Sequence, residues 1–124
     1  MQMRLELVPL PTRDVELSKE FYVDRVGFTL DHDVEPGNGL RVVQLTPPGS
    51  ACSVVIGVGM SDPEAPRVQN LHLVVDDVEQ ARAELAAKGV DVSGVSDLGG
   101  GVKYAYFSDP DGNSWALQEL PHRQ

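Results

Sequence analysis

The chain has 124 residues, 41% of them hydrophobic, which suits one globular domain and is too short for two independent ones. Its formal net charge of −9 repels phosphate backbones and anionic lipid, so nucleic acid and membrane surfaces are poor partners and a neutral or cationic small molecule a better one. A single cysteine, Cys52, excludes an internal disulfide, and with no membrane-length apolar stretch and no secretory run after a basic start the chain reads as cytoplasmic.

The first predicted strand covers residues 5–10, where apolar side chains recur. Asp14 then stands at an N-cap position before Val15, Phe21 and Tyr22, whose spacing is helical, and Gly27 stops that helix. Three further strands are predicted over residues 28–34, 40–46 and 53–58. They are separated by Glu35-Pro36-Gly37-Asn38-Gly39 and Pro47-Pro48-Gly49-Ser50. The prolines of Asp62-Pro63-Glu64-Ala65-Pro66 suit an extended linker over residues 60–67.

The same order then recurs. Asp14-Val15-Glu16 returns as Asp77-Val78-Glu79, and Thr46-Pro47-Pro48-Gly49-Ser50 as Asp109-Pro110-Asp111-Gly112-Asn113, both 63 positions on. A strand over 71–75, a helix after Asp77 stopped by Gly89, and strands over 90–95, 102–108 and 114–120 complete the second copy. The prediction is an α+β chain of two tandem βαβββ modules in a single domain, residues 1–124, with the modules at about 3–59 and 68–120.

Gly99-Gly100-Gly101 lacks the lysine and the strand-turn-helix setting of a phosphate loop and reads as a flexible lip. Asp109-Pro110-Asp111-Gly112-Asn113 lacks the later bidentate Glu of a calcium loop and reads as a turn.

Asp14 through Tyr22 leading into Val26-Gly27-Phe28, then Val75-Asp76-Asp77-Val78, and finally Tyr106-Phe107-Ser108-Asp109-Pro110-Asp111-Gly112-Asn113 together resemble the vicinal oxygen chelate superfamily. That superfamily includes glyoxalase I, extradiol dioxygenases, and bleomycin and fosfomycin resistance proteins. The resemblance spans essentially the whole chain. It implies cupped mixed sheets around a cavity, often completed by a second subunit, and hence a homodimer. It also implies metal ligands (His, Gln or Glu) on the first and last strands of each module.

Here the chain departs from the pattern. Counting seven residues back from each capping aspartate puts Leu7 and Asn70 at the first-strand positions, and the last-strand positions fall on Ser53 and Ala116. None supplies a carboxylate or imidazole, and a transition metal needs several such donors converging at about 2 Å. His32, His72 and His122 lie in different elements without ligand spacing. The expectation is no family-type metal site and no cofactor.

Alternation along a strand puts His72 on the face of Asn70, toward the cavity, where it reads either as a hydrogen-bonding or acid-base group or as a satisfied imidazole. Ser114, Ala116 and Gln118 share a cavity face, with Trp115 in the core. Tyr104 and Tyr106 share one face, as a stacking surface for a planar or cationic ligand or as ordinary sheet aromatics. Gln44 reads as an amide anchor or a sheet-edge residue, and Cys52 as a buried structural thiol.

The candidate ligand-binding set is therefore Leu7, Gln44, Ser53, Asn70, His72, Tyr104, Tyr106, Ala116 and Gln118, with His72 the candidate catalytic residue. The function expected is metal-independent binding of a drug or metabolite, with sequestration of the ligand as its form. The alternative is a metal-free isomerase, cyclase or lyase on an enolisable or aromatic metabolite, and a metal-dependent lyase or dioxygenase ranks last.

Overall fold

The computed structural model describes residues 1–121. The elements run β1 (Leu7–Pro9), α1 (Val15–Glu20) continued by a π-helical turn (Phe21–Val26), β2 (Thr29–Gly37), β3 (Leu40–Thr46) and β4 (Ser53–Val58). The order then repeats as β5 (Leu71–Val74), α2 (Val78–Ala87), β6 (Ser96–Asp97), β7 (Lys103–Ser108) and β8 (Ser114–Glu119). Each half makes one four-stranded mixed sheet, ordered β1-β4-β3-β2 and β5-β8-β7-β6. The chain divides into two compact units, the first Met1–Arg67 and the second beginning at Val68. The expected α+β architecture of two βαβββ modules is what the chain adopts.

Both helices begin on the predicted aspartates. The Asp14 carboxylate accepts the Leu17 N–H at 3.1 Å, and Asp77 accepts that of Gln80 at 3.0 Å. The first helix widens into its π turn where the bulky Phe21 and Tyr22 enter the core. It ends at Gly27, whose φ of 91° lets Gly27 and Phe28 both donate to the Tyr22 carbonyl.

In the first unit Val43, Leu45, Val54 and Ile56 are buried on the helix side of the sheet, together with Phe21, Tyr22 and Phe28. On that side an ion network ties α1 to the sheet. Asp33 accepts Lys19 Nζ at 2.6 Å and both Arg41 Nε and Nη2, at 3.1 and 3.0 Å, while Arg41 also pairs with Glu16. Hydrogen bonds from Arg41 and then Lys19 hold the Asp33 carboxyl at a pKa of about 2, and Asp33 and Glu16 raise that of Arg41. In the second unit Ala105, Phe107, Trp115 and Leu117 are buried with Val78, Leu85, Val90 and Val92. Phe107 and Trp115 lie parallel, 6.3 Å apart.

Two expectations are overturned. Residues 90–95 form no strand; the ladder with β7 is confined to Ser96–Asp97, with one isolated backbone hydrogen bond from the Ser93 N–H to the Tyr106 carbonyl at 2.9 Å. Side chains take the return half of that pairing: the Ser93 hydroxyl accepts the Tyr106 N–H at 2.9 Å, and Arg82 Nε donates to the Ser93 carbonyl at 2.6 Å. The 60–67 segment is not extended but folded back on its own unit. Ala65 closes a turn onto the Asp62 carbonyl, Ser61 donates to the Leu10 carbonyl, and Glu64 receives two hydrogen bonds from Arg13, both at 3.0 Å. Arg13 lowers the Glu64 pKa. Gly99-Gly100-Gly101 is the turn of the β6–β7 hairpin, all three residues at positive φ.

The Asp109-to-Asn113 turn anchors the start of the second unit. Asp109 Oδ1 accepts the N–H groups of Asp111 and Asn113, Asp109 Oδ2 accepts Asn113 Nδ2, and Asn113 Oδ1 accepts the Val68 N–H, all at 2.9–3.0 Å.

Candidate functional site

The face of each sheet turned away from its helix holds the candidate residues. In the first unit Leu7 pairs with Ser53, and Gln44 stands on the neighbouring β3 opposite Val55. Ser53 is buried. Gln44 Nε2 donates to Ser53 Oγ at 3.4 Å, Ser53 Oγ and Thr46 Oγ1 are 2.5 Å apart, and Thr46 Oγ1 donates to Asp31 Oδ2. Thr46 and Asp31 were not among the sequence candidates. Alternation from Gln44 reaches Thr46, but a bulge between Leu30 and His32 shifts the phase of β2 and hides Asp31. Cys52 is half-buried just before β4, its Sγ toward the Ser53 carbonyl at 3.6 Å.

In the second unit the strand register places His72 beside Ala116, Tyr104 opposite Gln118 and Tyr106 opposite Ala116. Both tyrosines therefore share the face of His72, while Ala105 and Phe107 point to the core. The Tyr104 and Tyr106 rings are parallel within 5° at 5.9 Å. The His72 ring meets Tyr104 edge-on at 5.5 Å, and Gln118 Nε2 donates to Tyr104 Oη at 2.6 Å. His72 is exposed, and Tyr106 keeps 41% of its surface exposed.

The two halves do not superpose position for position. Leu7 pairs with Ser53, but the residue paired with Ala116 is His72, not Asn70. The span from first strand to capping aspartate is two residues shorter in the second half, so counting back from Asp77 overshoots β5. Asn70 lies just outside that strand, in the left-handed region at φ 56°. Its N–H goes to Ser114 Oγ at 2.8 Å, and its carbonyl accepts His72 Nδ1 at 2.7 Å.

A metal of the kind the fold family carries does not fit these residues. Leu7 and Ala116 have no donor atom, the Ser53 hydroxyl is committed to Gln44 and Thr46, and His72 is a lone imidazole. Among the described residues no three of His, Cys, Asp or Glu converge on a point. His122 lies outside the described residues. Among those residues, too, no helix is long and apolar enough to cross a membrane.

Solved structures share this arrangement. TnmS3, an antibiotic binding protein from Streptomyces sp. CB03234, is 36% identical with a TM-score of 0.82, over 96% of this chain and 97% of that one. A glyoxalase/bleomycin resistance protein from the same source is 38% identical with a TM-score of 0.76, over 92% and 98%. A superfamily member from Sphaerobacter thermophilus DSM 20745 is 25% identical with a TM-score of 0.81, over 95% and 98%. No curated protein matches the chain. The family model matching residues 4–117 agrees with the paired βαβββ modules, and the chain belongs to the Glyoxalase/Bleomycin resistance protein/Dioxygenase superfamily.

Proposed function

We propose that this protein binds a small drug-like or metabolic molecule without a metal and acts by sequestering it. The observation that carries this reading is the helix-free face of the second sheet, where Tyr104, Tyr106 and His72 form an aromatic surface left exposed, with the polar groups around it already oriented. Exposed aromatic area with few, fixed polar groups is what a pocket for a flat organic ligand requires. The likeness to an antibiotic binding protein at 36% identity supports the same class of function. We assign Leu7, Gln44, Ser53, Asn70, His72, Tyr104, Tyr106, Ala116 and Gln118 to ligand contact. A homodimer belongs to this reading, because Val34 and Val74, each about half exposed on the helix-free face of its own sheet, are apolar surface that a second copy would cover.

The experiment is a thermal-shift screen of the purified protein against a broad panel of antibiotics and aromatic metabolites, followed by mass spectrometry of the recovered ligand. A ligand at about one hundred times its Kd stabilises by about 2.7 kcal/mol, a shift easily read. Binding with the ligand recovered intact is the expected result. No stabilisation by any compound would overturn the function.

One geometric feature favours a second reading, a metal-free isomerase, cyclase or lyase. An imidazole and a phenol, His72 and Tyr104, are adjacent on one exposed face, as an acid-base pair must be. Turnover that survives chelator and disappears in His72→Ala would replace sequestration with catalysis.

A further inference from the structure

We infer that His72 is held as its Nδ1–H tautomer, so that its bare Nε2 selects a flat aromatic ligand carrying a neutral hydroxyl or N–H donor. The inference rests on the binding function proposed above and specifies the chemistry of its ligand.

The argument starts at Asn70. A backbone carbonyl only accepts hydrogen bonds, so the 2.7 Å contact between the Asn70 oxygen and His72 Nδ1 requires the proton to sit on Nδ1. A neutral imidazole has one N–H, and Nε2 is then a lone pair. Free imidazole side chains favour the opposite tautomer, so the protein must hold the carbonyl in place to reverse the preference.

It does so with a turn of the backbone and a clamp. Asn70 sits at φ 56°, in the left-handed region that asparagine adopts more readily than other non-glycine residues, which turns its carbonyl toward the imidazole two residues on. The clamp is Ser114 at the start of β8. Its Oγ accepts the Asn70 N–H at 2.8 Å and gives its own proton to Gln69 Oε1 at 3.0 Å. The imidazole's partner along the sheet is Ala116, whose methyl group cannot compete for Nε2.

The surroundings of Nε2 describe the ligand. Tyr104, fixed through its Oη by Gln118, and the more exposed Tyr106 stack in parallel, centroids 5.9 Å apart, beside the imidazole. A planar ring that continues this stack against the exposed Tyr106 lies on the face of His72 and can present an edge substituent to Nε2. An acceptor lone pair rejects a carboxylate, as does a chain of net charge −9, and it rewards a phenolic O–H or an aromatic N–H.

The test uses two probes, 2-naphthol and 2-methoxynaphthalene, which share a ring system and differ in the one proton. Nitrogen-15 NMR of the full-length protein at about pH 8, where histidine is ordinarily neutral, reads the tautomer directly. The expected result is a protonated Nδ1 and a bare Nε2, reversed in Ser114→Ala. The naphthol should bind about five- to tenfold more tightly than the ether while shifting the Nε2 resonance, and His72→Phe should erase the difference and keep the ether's affinity. An Nε2–H tautomer in the unliganded protein, equal affinity for the two probes, or no binding of either overturns the inference. The sequestration reading fails separately, when no compound in the broad panel binds.

Discussion

Replacing Asn113 by alanine tests the turn that starts the second unit. Asn113 is fully buried, and its side chain bridges two groups, giving Nδ2–H to the Asp109 carboxylate at 2.9 Å and accepting the Val68 N–H at 3.0 Å. The first is charge-assisted and worth roughly 1.5–3 kcal/mol; the second is neutral and worth roughly 1. Asn113→Ala should therefore cost about 3 kcal/mol, which for a chain of this size lowers Tm by roughly 10–15 °C. Urea unfolding followed by the fluorescence of Trp115, the chain's single tryptophan and a core residue, reports the loss as a fall in midpoint at constant slope. Asn113→Asp separates hydrogen bonding from volume, because it keeps the shape and turns the donor into a carboxylate facing Asp109. It should be at least as damaging at neutral pH and recover in acid, where one proton shared between the two carboxylates restores a hydrogen bond. A midpoint in Asn113→Ala equivalent to less than about 1 kcal/mol of loss would refute the claim that this turn holds the unit together.

Gly57 of β4 has no room for a side chain, since a Cβ there would stand 1.9 Å from the Arg41 carbonyl oxygen of the neighbouring strand. Gly57→Ala should cost about 3 kcal/mol in the same urea assay, while Gly94→Ala, with nothing within 4 Å, should stay within about 0.5 kcal/mol of the parent. Asp33 makes an acid-labile contribution. Its pKa is lowered from 3.8 to about 2 on folding, so the stabilisation is complete above about pH 4 and disappears as pH falls toward 2. Its side chain is 21% exposed, and solvent screening trims the contribution to roughly 1 kcal/mol. Asp33→Asn should therefore lower the urea midpoint at pH 6 and match the parent near pH 2. Challenge with iron, manganese, nickel and zinc followed by elemental analysis should give near-zero occupancy, and chelator should leave Tm unchanged. Tight one-to-one binding would show that donors other than Leu7, Ser53, His72 and Ala116 assemble a site.

Signals carried by single residues were legible in the sequence. The capping aspartates and Gly27 announce themselves by local hydrogen-bonding and φ requirements, and β3 and β4 begin and end where alternation and turn residues bound them. Parity was legible too: Trp115 is core, and His72 shares its face with Gln118. What alternation cannot carry is register. It assigned the tyrosines to one face without saying which, and only the pairing of Tyr106 with Ala116 decides that they join His72. The same blindness put Asn70 in the place of His72, because a repeat measured between helix caps misses a loop shortened by two residues. Apolar spacing also overpredicted a strand at 90–95, where Val90 and Val92 are buried but pairing with β7 stops at one bond, because side chains of Arg82 and Ser93 take the Ser93 carbonyl and the Tyr106 N–H.

The repeat preserved the scaffold and let the two helix-free faces diverge, yet their proton bookkeeping comes out alike. In the first unit the Asp31 carboxylate can only accept, so Thr46 gives it a proton; Thr46 Oγ1 then accepts from Ser53, and Ser53 from Gln44 Nε2. That order leaves Gln44 its carbonyl oxygen as an acceptor and its second Nε2–H as a donor. In the second unit Gln118 gives one Nε2–H to Tyr104 Oη and keeps Oε1 as an acceptor and its second N–H as a donor, while Tyr104 keeps its own O–H to give. Of the four positions the family pattern points to, Ser53 has become part of a network that fixes the direction of its neighbours' hydrogen bonds. Both faces present acceptors together with donors, which suits a ligand carrying O–H, N–H and carbonyl groups. Neither face needs a metal to polarise its ligand if the reaction is binding alone.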